Sequence, residues 1–181
     1  MNAWAWLAPT LTWVAGLAMV AWAWRGMAPA MKRLGRPTIV ELQRAGNAEQ
    51  VERIKAAWTG KAGTPGENRT AAARQSLAWD LPLITGYVLF LAGLAWWSLD
   101  PAYRTLGGWG AVWAGLAILA ALAAGGCDLA EDKLCGSLLD EPATDARAKA
   151  VKRLAMAKFA LLAFAVAMLV FVLLPMAVVA G

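Results

Sequence analysis

AMAKFALLAFAVAMLVFVLLPMA, residues 155–177, holds a single charge, Lys158, in a run long enough to cross a bilayer, because roughly 20 apolar residues at helical rise match the hydrocarbon thickness. Three further runs of the same kind lie at about residues 3–24, 77–98 and 109–126. Lipid-exposed backbone must satisfy its own polar groups, so runs of this length are read as helices. The expected fold is therefore all-α, a membrane-spanning four-helix bundle. With 181 residues, little chain remains outside the spans, and residues 1–181 read as one integral membrane domain with no room for a separate catalytic domain.

The first run is not expected to be a cleavable signal. It lacks a basic n-region, is too long for an ordinary h-region, and carries its basic flank afterwards, at Arg25. Lys and Arg set the orientation, since short translocated loops avoid them. Residues 25–75 hold ten basic residues against Glu41, Glu49, Glu52 and Glu67; residues 99–108 hold only Arg104; residues 127–154 hold Lys133, Arg147, Lys149, Lys152 and Arg153. Loops 25–75 and 127–154 are thus expected in the cytoplasm and both termini outside, in a bacterial inner membrane. Tryptophan agrees, because indole favours the headgroup level. Trp4, Trp6, Trp96, Trp97 and Trp109 fall at the outer ends, and Trp22, Trp24 and Trp79 at the inner ends. The deeper Trp13 and Trp113 read as apolar packing.

The net charge of +5 concentrates in the first loop, within reach of anionic lipid headgroups, and no nucleic-acid-binding motif fits there. Inside that loop, Asn47-Ala48-Glu49-Gln50 resembles a capping box opening a short amphipathic helix, about residues 48–58, with Val51, Ile54 and Trp58 on one face. Such a helix lies on the membrane or packs under the bundle. Thr59 to Arg69, with Gly60, Gly63, Pro65 and Gly66, reads as a loop.

The chain contains no His, which removes His-ligated haem or metal and every Ser-His or Cys-His nucleophile pair. Cys127 and Cys135 are eight residues apart, about 12 Å along a continuous helix, too far for a disulfide. They read as small packing residues, and no cofactor is expected. The chemistry-bearing residues are Asp80, Tyr87, Asp128, Glu131 and Lys158, since ionisable groups at membrane depth are expensive and turn toward other helices or water. Gly110, Ala114, Ala117, Ala121 and Ala124 recur at spacings of four and three, the pattern of a close-packing face. That stripe continues onto Asp128, Glu131 and Cys135, provided the helix survives Gly125-Gly126. Asp80 and Tyr87, seven apart, share a helix face, and Lys158 opens the fourth span from the same side. The expectation is one polar cluster near the inner headgroups. Structural readings stand beside it: Asp80, two before Pro82, as a helix cap; Lys158 snorkelling to phosphates; Asp128 and Glu131 as helix-end acids; Tyr87 as an interhelical hydrogen-bonding group.

The segments TIVELQRAGNAEQVERIKAAW (38–58), DLPLITGY (80–87) and CDLAEDKL (127–134), with Lys158-Phe159, resemble a group of small four-helix bacterial integral membrane proteins without an assigned function. In that group the third span ends in Asp-x-x-Glu-Asn. Asp128 and Glu131 match the element, while Asp132 replaces the Asn. The resemblance implies an architecture and carries over no activity. Three function classes follow. The first is a non-enzymatic accessory or structural membrane component, working with a membrane-protein partner or as a homo-oligomer. The second is a binder or transporter of a cation, proton or small molecule at the carboxylate cluster. The third is a lipid-modifying enzyme holding a hard ion such as magnesium on Asp128, Glu131 and Asp132.

Overall fold

The structure, a computed structural model, describes residues 4–59 and 69–180. The described residues are helical with no strand: α1 Trp4–Leu34, α2 Ile39–Arg44, α3 Ala48–Thr59, α4 Thr70–Leu106, α5 Gly108–Asp140 and α6 Asp145–Ala180. Segments of α1, α4, α5 and α6 are each long and apolar enough to cross a membrane, so the chain is a multi-pass helical membrane protein. All four helices run beyond their apolar stretches. The polar flanks are rich in Ala, Arg, Lys, Gln and Leu, good helix formers that continue a helix where hydropathy has already fallen. Most of residues 127–154 is consequently helix, with only 141–144 connecting α5 to α6. The loop expected over Thr59 to Arg69 lies largely outside the described residues, as does the side chain of Trp4.

The chain divides into two compact units. The first comprises Met1–Ala21, Ile84–Gly126 and Lys158–Gly181. Here α1 and α4 pack antiparallel at close range: a Cβ on Gly86 would lie 2.8 Å from the Val20 backbone nitrogen, and one on Gly93 would lie 2.7 Å from that of Trp13. A Cβ on Gly16 would overlap the Phe90 backbone as well. Only glycine permits this approach, and close approach is what van der Waals attraction between helices requires in lipid. Leu91, Ala95, Ala117, Ala121, Ala165 and Leu169 then join α4, α5 and α6 in one buried cluster. Trp113 packs edge-on against Phe171, with ring centroids 5.7 Å apart. Gly107, in the left-handed region at φ 64°, makes the turn from α4 to α5.

The second unit comprises Trp22–Leu83 and Cys127–Ala157. Its core is Leu34, Leu42, Val51, Trp58, Ala73, Cys135, Leu138 and Val151, drawn from all six helices. Gly35, at φ 62°, ends α1 with its N–H on the Met31 carbonyl. Thr38 and Glu41 then form a capping box for α2. Asn47 caps α3: the Gln50 N–H donates to Asn47 Oδ1 at 2.9 Å, while Gln50 Oε1 reaches one residue past the expected box and accepts from the Gly46 N–H at 2.8 Å. Val51 and Trp58 are buried and Ile54 is partly buried, so α3 turns its apolar face into a protein core. Trp58 fastens both ends of the first connection. Its indole N–H donates to the Pro37 carbonyl at 2.7 Å, and its own carbonyl accepts from the Arg69 N–H at 3.0 Å.

Polar contacts tie α3 to the α5–α6 connection. Glu52 Oε1 accepts from the Ala143 N–H at 2.8 Å and from Lys55 Nζ at 3.0 Å. Lys55 also donates to the Glu141 carbonyl, and Asp145 Oδ1 accepts from the Ala48 N–H. The Ala143 hydrogen bond, followed by that of Lys55 and its charge, holds the Glu52 carboxyl below its ordinary value. A carboxyl depressed in the folded state contributes stability above its unfolded pKa and loses it as pH falls through the folded value. Acidification below about pH 4 is therefore expected to loosen α3 from residues 141–144, seen as a lower amide-exchange protection factor at Ala143, and Glu52→Gln should remove that part of the pH dependence. Trp58→Ala, which empties a fully buried site and strands the Pro37 carbonyl, is expected to destabilise by about 3–5 kcal/mol in denaturant unfolding of the detergent-solubilised protein.

Candidate functional site

The face predicted for the third span is continuous in α5. Gly110, Ala114, Ala117, Ala121, Ala124, Asp128, Glu131, Cys135 and Leu138 are all buried, at alternating spacings of four and three. The helix does not break at Gly125-Gly126. A Cβ on Gly125 would lie 2.7 Å from a Val88 methyl, so this glycine provides close packing against α4. Asp128 and Glu131 are accordingly residues of a packed helix face. Glu131 has no exposed surface and Asp128 keeps 8%. Taking carboxylates out of water costs several kcal/mol each unless partners offset it, so both positions constrain their surroundings.

Asp80 lies inside α4, which begins at Thr70. The alternative reading of Asp80 as a helix cap is thereby corrected: the apolar run starts near residue 77, but the preceding Ala-rich turns are already helical. Within the second unit, α4 and α5 are antiparallel. Arg74 and Asp140 form an ion pair, and Ala73 and Leu77 share the core with Leu134, Cys135 and Leu138. Six residues along α4 from Arg74 to Asp80, and nine along α5 from Asp140 back to Glu131, are rises of roughly 9 and 14 Å. The half-buried Asp80 thus lies within a helical turn of Glu131 in depth. Ser76, one turn before Asp80, is fully buried, and its hydroxyl has no hydrogen-bond partner among the described residues.

Tyr87 and Lys158 belong to the first unit. Tyr87 is half-buried and packs on the α4–α5–α6 cluster. Lys158 is buried rather than extended into the surroundings, with Nζ 5.2 Å from the centroid of the adjacent Phe159 ring. Cys127 and Cys135 lie on one helix, half-buried and buried respectively, and are not joined in a disulfide.

Among the described residues no three His, Cys, Asp or Glu side chains are grouped so as to hold a metal ion. Asp128, Glu131 and Asp132 follow one another along the single helix α5. Sequence reasoning did not single out Ser76, the Glu52–Ala143–Lys55 contacts or the Thr38 box. The last was visible in Thr38-Ile39-Val40-Glu41; the others depend on residues distant in sequence. No protein-family model, no curated protein and no solved structure matches this chain.

Glu131→Lys, which puts an ammonium at a fully buried position among Asp128, Leu134 and Cys135, is expected to destabilise by more than about 3 kcal/mol, whereas the exposed Lys133→Gln should stay within about 0.5 kcal/mol. Thermal unfolding of the two purified variants in one detergent checks the contrast.

Proposed function

We propose that this protein is a non-enzymatic accessory or structural component of a bacterial inner membrane, with both termini outside and residues 25–75 and 127–154 on the cytoplasmic side. The reading includes membership of the small four-helix group carrying the Asp-x-x-Glu element. The observation that carries it is the position of Asp128 and Glu131. They extend a face of Gly and Ala whose neighbours are packed side chains, so their cost of burial acts on helix register and specificity. The basic residues of the second unit supply contacts to anionic headgroups, and the exposed apolar helix faces meet lipid, a membrane-protein partner or a second copy.

A cation, proton or small-molecule binder is the second reading. It is favoured by the complete burial of the Glu131 carboxyl and by the depth at which Asp80 lies, since ionisable groups inside a membrane helix are functional by default. Four helices are few for alternating access, so a transporter would be an oligomer.

Native mass spectrometry of the gently extracted protein, wild type against Asp128→Asn, separates the two. The accessory reading expects the same species in both, bare protein or a protein complex, together with a lower unfolding temperature for the variant. A small molecule or ion that is bound to wild type and lost in Asp128→Asn would replace it with the binder.

A further inference from the structure

Outside the α5 face, the second unit contains an open cavity of about 330 Å³ lined by Pro37, Glu41, Arg44, Ala45, Gln50, Arg53 and Ile54. It lies between α2 and α3, whose relative placement is set by the caps of the two helices and by Leu42, Val51 and Trp58 beneath them. The floor is apolar, from Pro37, Ala45 and Ile54, and the wall carries two guanidinium groups. We infer that this cavity binds a phosphate-bearing ligand.

Charge and availability carry the inference. Arg44 is exposed and makes no ion pair among the described residues. Among the described residues Arg53 pairs with Glu49, at 3.0 Å with both side chains largely exposed. Exposed helix pairs of this kind contribute little, so Arg53 loses little by turning to another anion. Lys152 adds a third cation from α6: its Nζ lies 3.6 Å from where a Cβ on Gly46 would stand, beside the turn that joins α2 to α3. Glu41 is the carboxylate in the lining, and it is engaged by the Thr38 N–H. A guanidinium fork pairs bidentately with carboxylate and phosphate alike, but the two oxygens of one carboxylate are filled by a single fork, whereas the further oxygens of a phosphate engage two forks at once. A volume near 330 Å³ suits a headgroup-sized molecule, and the apolar floor suits a glycerol or alkyl stem.

The same chemistry comes from two sources, an anionic phospholipid headgroup or a soluble phosphate ester. The site does not depend on Asp128 and Glu131, and its failure would leave the proposed function standing. The test is titration calorimetry of the full chain in non-ionic detergent, with glycerol 3-phosphate and, separately, short-chain phosphatidylglycerol. Saturable binding of one titrant per protein is expected, and whichever titrant binds identifies the source. Arg44→Gln/Arg53→Gln should weaken it by about tenfold or more. Lys149→Gln/Arg153→Gln, which removes the same charge elsewhere on α6, should change it by less than about twofold. Glu41→Gln keeps the acceptor for Thr38 but removes a negative charge from the lining, and is expected to tighten binding by about threefold. That gain tests the site even if the double arginine variant unfolds. Absence of saturation with both titrants, equal losses in the two double variants, or weaker binding in Glu41→Gln would overturn the assignment.

Discussion

Close approach of helix backbones is the constraint on which the first unit depends. Apolar side chains gain nothing from leaving lipid for one another, so helices associate there through contact and shape. Gly16 and Gly93 bring α1 and α4 nearly to backbone contact, and Gly125 leaves room on α5 for the Val88 side chain of α4. The alanines of α5 extend that closeness over several turns. A face so narrow has no room for the usual large core residues. Where it reaches Asp128 and Glu131, it holds two of the most hydration-demanding groups in the chain within a packed surface.

The second unit is built on different physics. Leu34, Leu42, Val51, Trp58, Leu138 and Val151 form a core of large side chains, of the kind that water drives together. Its short helices are too brief to be stable alone, so they are held by caps and by tertiary contacts. Trp58 has the central place: its ring fills the core, its N–H reaches Pro37, and its carbonyl receives Arg69. The hydrogen bonds of Glu52, Lys55 and Asp145 then join α3 to the region between α5 and α6, which is ninety or so residues later in the chain. A polar first loop thus becomes a folded layer with its own interior.

Parts of this were legible in the amino-acid sequence. The four apolar runs and the four-and-three spacing of small residues depend on local periodicity, and both have direct counterparts in the helices and in the buried face of α5. So does the Asn47 cap, because a cap is written within four residues. Helix ends were not legible, since hydropathy measures the thickness of hydrocarbon and not the reach of a helix, and the cap alternative for Asp80 rests on that difference. The depth shared by Asp80 and Glu131 was visible only as two helix ends on one side of a membrane. Their register needed the Arg74–Asp140 pair and the packing of Leu77 on α5. The contacts of Glu52 were hidden altogether, because a surface glutamate in an amphipathic helix carries no mark of a partner far away in the chain.

The distribution of charge links the two units to one requirement. Every Lys and Arg except Arg104 and Lys158 belongs to the second unit, and six of its acidic residues are engaged within it: Glu41 on Thr38, Glu49 on Arg53, Glu52 on Ala143 and Lys55, Asp140 on Arg74, Glu141 on Arg147, and Asp145 on Ala48. These contacts spend carboxylates on structure while leaving Arg44 and Lys152 without ion pairs among the described residues. A basic excess that merely fixed orientation could be scattered anywhere along the polar segments. Here the caps of α2 and α3 gather part of it around a defined cavity, where Arg44 and Arg53 stand beside Pro37, Ala45 and Ile54.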